Sequence, residues 1–384
     1  MNPASPSDTE VRFVDLAAQH AALKQEILLL ISECLDSASF VGGPQLDGFE
    51  EEFARFLDCR FAVGVANGTD ALRLALRALG IGPGDRVITV PNTFIATTEA
   101  ISQVGADFDF VDVDRDTCLI DPDRLEGYLA QAFNQAGAPK RIRAILPVHL
   151  YGQCADMTAI ADLSRKYDLA IIEDAAQAHG ATHRGKLAGT FGDAAAFSFY
   201  PAKNLGACGE AGAVTTGDPK IAETLRMLRD HGQKVKYHHH LEGYNARMDA
   251  VQAGILRLKL RKLREWNKAR RAIAAFYDSA FAAVDWVQPV KVLPQNVSCF
   301  HLYVIHVPDR DALRTHLTAR GIATGLHYPL PLHLQPCYAH LRYTAGSFPN
   351  AEWSARRLLS LPMYPELGLI RARRVVDAIT SFAG

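Results

Sequence analysis

An α/β fold, with a mostly parallel sheet covered by helices on both faces, is the class this sequence predicts. Two observations predict it. Short apolar runs rich in Val, Ile and Phe alternate with segments of helical period through the first two-thirds of the chain. The composition, 48% hydrophobic and 22% charged over 384 residues, is that of a globular chain long enough for two domains of roughly 100–200 residues each.

The elements follow in order. V-A-N-G-T-D-A-L (65–72) runs from a strand through Gly68 into a helix that continues over 69–79. R-V-I-T-V (86–90), D-F-D-F-V-D-V (107–113), R-I-R-A-I-L-P-V (141–148) and L-A-I-I-E (169–173) read as strands. Helical spacing marks 92–101, 121–133 and 156–167, and Asp121 followed by Pro122 has the form of an N-cap with proline at the first helical position. Two further strand-like runs, A-A-A-F-S-F (194–199) and A-G-A-V-T-T (211–216), follow without a helix between them. A long basic helix is predicted over 249–266, then a strand over 299–307 and a helix over 309–320. A boundary near 245 divides the chain into a large unit, 1–247, with an N-terminal arm, and a smaller one, 248–384.

Charge and cysteine usage exclude several classes of function. A formal net charge of -1 gives no electrostatic case for a nucleic acid or an anionic membrane. Seven scattered cysteines without a C-x-x-C pair argue against a disulfide framework or structural zinc. The start M-N-P-A-S-P-S-D-T-E lacks a basic region followed by an apolar run, and no stretch approaches the ~18 apolar residues of a membrane span. A soluble cytoplasmic protein is expected. His238, His239 and His240 are adjacent and cannot converge on one ion, so no metal site is expected there.

The chemistry centres on A-F-S-F-Y-P-A-K-N-L-G-A-C-G-E-A-G-A (196–213), which sets Lys203 between an aromatic strand and a glycine-rich loop. Desolvation in such a site penalises the ammonium and lowers the pKa of a lysine. A neutral amine can form a Schiff base with a carbonyl. Asp174 closes the run L-A-I-I-E-D, at the carboxyl end of a strand, where open α/β sheets place their ligands; a cap or turn role is the alternative. A carboxylate there suits the ring nitrogen of pyridoxal phosphate, which it keeps protonated. Gly68 and Thr69, at a helix start, could bind a phosphate, although N-G-T-D is also a good turn with an N-cap. Ser198 offers a second hydroxyl to the same anion. Phe94 could lie on the pyridine ring or be core.

D-A-A-Q-A-H-G (174–180), F-S-F-Y-P-A-K-N-L-G-A-C-G-E-A-G (197–212), N-G-T-D-A-L, P-V-H-L-Y-G-Q (147–153) and G-Y-N-A-R-M-D-A-V-Q-A-G-I-L (243–256) resemble the successive motifs of the DegT/StrS sugar-nucleotide aminotransferases. The resemblance covers nearly the whole chain. It implies the PLP-dependent transferase fold type I: a mostly parallel seven-stranded central sheet with a smaller C-terminal α+β domain. It also implies a homodimer with shared active sites. Carried over by position, Lys203 would be the Schiff-base lysine and proton carrier, and Asp174 the pyridinium partner. Gln177 would bond the ring hydroxyl and Phe94 would stack on the ring. Gly68, Thr69 and Ser198 would hold the phosphate, which Asn245 of the partner subunit would also reach. Arg247 would serve the same shared site.

The implied reaction moves an amino group from L-glutamate through the cofactor to a keto sugar nucleotide. R-D-H-G-Q-K-V-K-Y-H-H-H-L-E-G-Y-N-A-R-M-D (229–249) resembles the branch that aminates at C-3, in wording nearest the enzymes of dTDP-3-keto-6-deoxyhexoses. A UDP-linked 3-keto sugar and the C-4 branch are the alternatives. Lys236, Tyr237 and His238, together with His327 and Tyr328 of H-Y-P-L-P-L-H (327–333), are candidates for the sugar nucleotide; for the last pair a solvated, proline-stiffened loop is the competing view. Relatives that dehydrate sugars replace the lysine with histidine, which disfavours that chemistry here. A PLP-binding regulator is the non-enzyme alternative, but every position needed for catalysis is filled and no helix-turn-helix or basic tail is evident.

Overall fold

The computed structural model describes residues 10–134 and 141–382; the N-terminal residues read above for a leader lie outside this range. Its centre is a sheet of seven strands. In chain order these are β1 (Phe61–Val65), β2 (Asp85–Thr89), β3 (Asp107–Phe110), β4 (Arg141–Ile145), β5 (Ala170–Asp174), β6 (Ala194–Ser198) and β7 (Gly212–Thr216). Their spatial order is β1-β7-β6-β5-β4-β2-β3. The β6–β5, β5–β4, β4–β2 and β2–β3 pairs are parallel, whereas β7 runs antiparallel to both β1 and β6. The sheet is thus mostly parallel, as the alternation of strands and helices predicts.

The missing helix between β6 and β7 is what turns the backbone round antiparallel. A tight loop joins neighbouring strands only in that sense, since a parallel pair needs a crossover. Lys203 sits in this loop. Its N–H donates to the Tyr200 C=O at 2.8 Å, and the Ala207 N–H returns to the Phe199 C=O at 2.7 Å. Phe197 and Phe199 are fully buried beneath the loop. The helix Pro44–Leu57 supports them with Phe49 and Phe53, whose rings meet them edge to face at 5.1 to 5.3 Å.

Several elements are shorter or more divided than the apolar runs predict. β3 ends at Phe110 and β4 at Ile145, where Val111 and Leu146 each still donate one bond to β2. The helix expected over 92–101 begins at Ala96, because Asn92 turns aside to donate to the Cys118 C=O at 2.8 Å. The long basic helix is two, Ala250–Leu260 and Leu263–Phe281. Beside the break, fully buried Lys259 donates to the Gly206 C=O at 2.6 Å and ties the end of the first helix to the Lys203 loop, to which the second helix is also joined through Asn267 and Asn204 at 2.9 Å. The strand expected over 299–307 is confined to Tyr303–His306, because Cys299 and Leu302 donate instead to the turn Leu150–Gly152. The helix Arg310–Ala319 starts at an Asp309 cap, close to the predicted 309–320.

Candidate active site

Asp174 ends β5 and is almost wholly buried. Its Oδ2 accepts from Thr97 Oγ1 at 2.8 Å and its Oδ1 from the Ala176 N–H at 3.2 Å. Thr97 is itself held by Thr93 at 2.8 Å. Burial raises the pKa of the carboxyl; the two hydrogen bonds, Lys203 and His149 oppose it without prevailing.

Lys203 shows the converse. Burial pulls its pKa down to about 8, against the opposing pull of Asp174 and Cys299. An acid and an amine, each within reach of the other's charge, therefore share a site whose low polarity suits the charged form of neither. Three imidazoles complete the surroundings of the amine, and all are held neutral. His179, wedged between Phe197 and Phe199, is pushed to about 3 by burial and then by Lys203. His327 is pushed to about 4 by the same two causes, and His301 well below its ordinary value.

Gln177 is buried close by; its Oε1 accepts from the Tyr151 N–H at 2.8 Å and its Nε2 donates to Tyr328 at 3.4 Å. Phe94 is exposed at the edge, with its ring 5.7 Å from that of Tyr328. It lies in the turn before the helix, not on the helix. His327 donates to or accepts from Ser360 at 2.9 Å, and Phe13 stacks on its ring at 5.7 Å. The structure therefore joins Gln177, Phe94 and Tyr328 by contact, and His327 adjoins Tyr328 within reach of the charge of Lys203.

The phosphate candidates also come together. A Cβ added to Gly68 would lie 2.6 Å from Ser198 Cβ, so the helix Gly68–Ala78 begins directly against the end of β6. A Cβ on Gly212 would lie 2.3 Å from the Asn67 C=O. Only glycine permits these approaches. The first-turn N–H groups of Gly68 and Thr69 have no intrahelical acceptor, and the Ser198 hydroxyl lies alongside, a donor set suited to an anion. Pyridoxal phosphate fits this arrangement: an amine, a carboxylate and an anion cradle lie at the carboxyl edge of one sheet.

Other candidates lie apart. Lys236, Tyr237 and His238 stand on an exposed hairpin of Gln233–Val235 and His238–His239. Its contacts are local: the Tyr237 N–H donates to Gln233 at 3.0 Å and His239 pairs with the His231 C=O at 2.8 Å. Asn245 is exposed, and its Oδ1 accepts from Arg247 at 2.7 Å, while Arg247 pairs with Asp230 at 2.7 Å. Among the described residues no cluster of His, Cys, Asp or Glu could hold a metal ion, and no helix is long and apolar enough to cross a membrane.

Sequence reading missed the support of the site. Buried Glu173 accepts from the N–H groups of Gly189, Phe191 and Gly192 and from His149 Nε2. His149 Nδ1 accepts from the Ala155 N–H at 3.1 Å, which fixes its tautomer. The signal was present as a charged residue inside an apolar run. Thr97 and Thr93 carried none, nor did buried Asn204, next to Lys203 in the chain, whose Nδ2 donates to Asn267 Oδ1 and to the Cys299 C=O, both at 2.9 Å.

A model of the DegT/DnrJ/EryC1/StrS aminotransferase family matches residues 21–380. The chain belongs to this family. It is a pyridoxal-phosphate-dependent aminotransferase, with the α/β fold of those enzymes. Among its relatives in the DegT/DnrJ/EryC1/StrS family is dTDP-3-amino-3,4,6-trideoxy-alpha-D-glucose transaminase of Streptomyces venezuelae. That protein is 47% identical over 373 residues, which is 97% of this chain and 96% of the relative. UDP-N-acetyl-3-dehydro-alpha-D-glucosamine 3-aminotransferase of Acidithiobacillus ferrooxidans is 45% identical, with 97% and 98% covered. The crystal structure of S. venezuelae DesV with a ketimine intermediate superposes with a TM-score of 0.93 at 46% identity, covering 98% of this chain and all of that one.

Proposed function

We propose that the protein transfers the amino group of L-glutamate to C-3 of a dTDP-linked 3-keto-6-deoxyhexose, by a ping-pong mechanism. The pairing of Lys203 with Asp174 beside the Gly68 cradle carries the chemistry. The 47% identity to a dTDP-3-amino sugar transaminase supports the choice of sugar. Pyridoxal phosphate, when bound, supplies an aldehyde that takes up the amino group and a ring that accepts electrons. Asp174 would hold the proton on the ring nitrogen, Gln177 would bond the ring hydroxyl, and Phe94 would cover one ring face. Gly68, Thr69 and Ser198 would bind the phosphate. Lys203 would anchor the cofactor and, once displaced by the donor, move a proton at the donor or sugar carbon. Its depressed pKa leaves much of the free amine neutral near pH 8, as a base must be. His327 and Tyr328 would contact the sugar nucleotide.

In this reading the active unit is a homodimer, with Asn245, Arg247 and the Lys236–His238 hairpin serving the site of the partner subunit. The helix Lys24–Asp36 exposes Leu28, Leu29 and Leu35, and Phe40 and Val41 follow, an apolar face that supports a covering second copy. Residues 1–247 would hold the cofactor and 248–384 form the smaller unit. An apolar cluster including Tyr277, Ile305, Leu359 and Val375, drawn from beyond residue 272 apart from Val11, supports that division. Mixing inactive Lys203→Ala with inactive Asn245→Ala protein under subunit exchange is expected to restore activity, toward about a quarter of the sites, through mixed dimers. An active Asn245→Ala variant, or no recovery on mixing, would remove Asn245 from the shared site.

The sugar is tested by running the reaction in reverse, with 2-oxoglutarate as acceptor and 3-amino or 4-amino sugar nucleotides as donors. Glutamate should accumulate with the dTDP-3-amino-6-deoxyhexoses. Turnover of UDP-linked 3-amino sugars in their place would favour the second reading, which the 45% identity to a UDP-sugar enzyme supports. Turnover of the 4-amino series alone would overturn amination at C-3.

A further inference from the structure

The carboxyl of Asp174 is held at both oxygens. Oδ1 accepts from the Ala176 N–H at 3.2 Å, which ties it to the chain just beyond β5. Oδ2 accepts from Thr97 Oγ1 at 2.8 Å, and this second bond stops the plane of the group from turning. Each oxygen has two lone pairs, so both keep one for a further donor.

Thr97 is placed for this task. It stands in the first turn of the helix Ala96–Gln103, and its N–H donates to the Phe94 C=O at 3.2 Å. The hydroxyl of its neighbour Thr98 takes the usual local course and bonds to the Ile95 C=O, three residues back, at 3.0 Å. That of Thr97 instead reaches a carboxyl 77 positions away. Thr93 Oγ1 meets it from the other side at 2.8 Å. Thr93, Thr97 and Asp174 are all buried, so water does not compete for these bonds.

A hydroxyl carries one hydrogen, and an ionised carboxylate can only accept. When Asp174 is charged, the Thr97 hydrogen must therefore point to Oδ2, and the bond between the two hydroxyls must be donated by Thr93. The donors then run in one direction, from Thr93 to Thr97 to Asp174. Without the Thr97 hydroxyl, Oδ2 would be a buried charged oxygen with no donor.

We propose that Thr97 is a positioning residue for the reaction, whose hydroxyl, ordered by Thr93, fixes the plane of the Asp174 carboxylate and favours its ionised form. The inference rests on the reading of Asp174 as the partner of the cofactor's ring nitrogen.

Carboxyl-carbon NMR of aspartate-labelled, cofactor-free protein tests it without any substrate. The signal of Asp174 is the one lost in Asp174→Asn. Burial moves its titration up and the Thr97 bond moves it down. Thr97→Val keeps the branched shape and removes the hydroxyl. It should carry the midpoint to higher pH, an about tenfold change in the acid dissociation constant. Thr97→Ala should do the same with no added bulk, and decides the matter where Thr97→Val does not fold. Thr97→Ser should stay close to wild type, and Thr93→Val should move the midpoint in the same direction by less. Lys203, His149 and Tyr328, the titratable groups that interact with Asp174, are unchanged throughout.

In the holoenzyme, Thr97→Val should lower kcat about tenfold, with KM for glutamate within about threefold, and Thr97→Ser should recover most of the loss. An Asp174 titration unmoved by loss of the Thr97 hydroxyl, or a Thr97→Ser protein as impaired as Thr97→Val, would overturn the proposal. Failure of the reading beneath it looks different: Asp174→Asn would keep its turnover while the titration of Asp174 still moved in the Thr97 variants.

Discussion

Lys203→Ala is expected to lose turnover by roughly 10⁴-fold or more, since one side chain supplies both the covalent anchor and the base. The cofactor should then be held only by the phosphate cradle, Asp174 and the ring contacts. Borohydride reduction followed by mass spectrometry checks this. Wild-type protein should retain the cofactor mass on the peptide that carries Lys203, and the variant should retain none. Cofactor mass found covalently on another residue of the variant would overturn the assignment. The variant should fold normally, because the site penalises the lysine ammonium, and alanine removes that penalty.

The second large effect is expected from Asp174→Asn, with a fall in turnover of about 10²–10³-fold, typical of losing one placed charge that the reaction needs. The amide still accepts from Thr97 but cannot hold a proton on a ring nitrogen by charge. Stability should move the other way. The folded pKa of Asp174 is raised, so its ionised form costs stability, and that cost grows as pH rises from its ordinary value near 3.8 through the folded value. At pH 7, without cofactor, the Asn variant should therefore melt no lower than wild type. A variant that is inactive and melts well below wild type would make Asp174 structural.

The sheet was legible wherever one face or both of a strand is buried. β2, β4, β5 and β6 announced themselves as apolar runs, and the last two runs stood out as lacking a helix between them, where the structure makes its antiparallel return. Strand ends were less legible, because Val111 and Leu146 are as apolar as the strand residues before them and only their hydrogen bonding differs. The break after Leu260 left no trace either: no proline or glycine marks it, and the bond of nearby Lys259 to Gly206 spans 53 positions of sequence. In the site, Lys203, Asp174 and Gly68 stood out because each breaks a local rule, a charge or a missing side chain where apolar bulk is the norm. The supporting groups obey local rules. Thr97 is an ordinary helix residue and Asn204 an ordinary loop residue until the fold sets them beside residues 77 and 63 to 97 positions distant.

The edge strand β1 pairs with β7, and Cys59 beside it bonds to the Thr216 C=O across 157 positions of sequence. A growing polypeptide leaves the ribosome from its N-terminus. The first sixty residues, with Phe49 and Phe53 on one helix, must therefore wait for β6 and β7 to be made before their apolar face has its partner. Contacts this distant close late and slowly. The aromatic floor under Lys203 and the pairing of β1 are thus the last parts of this sheet that synthesis can complete, and the interval before them is when the nascent protein is most open to aggregation.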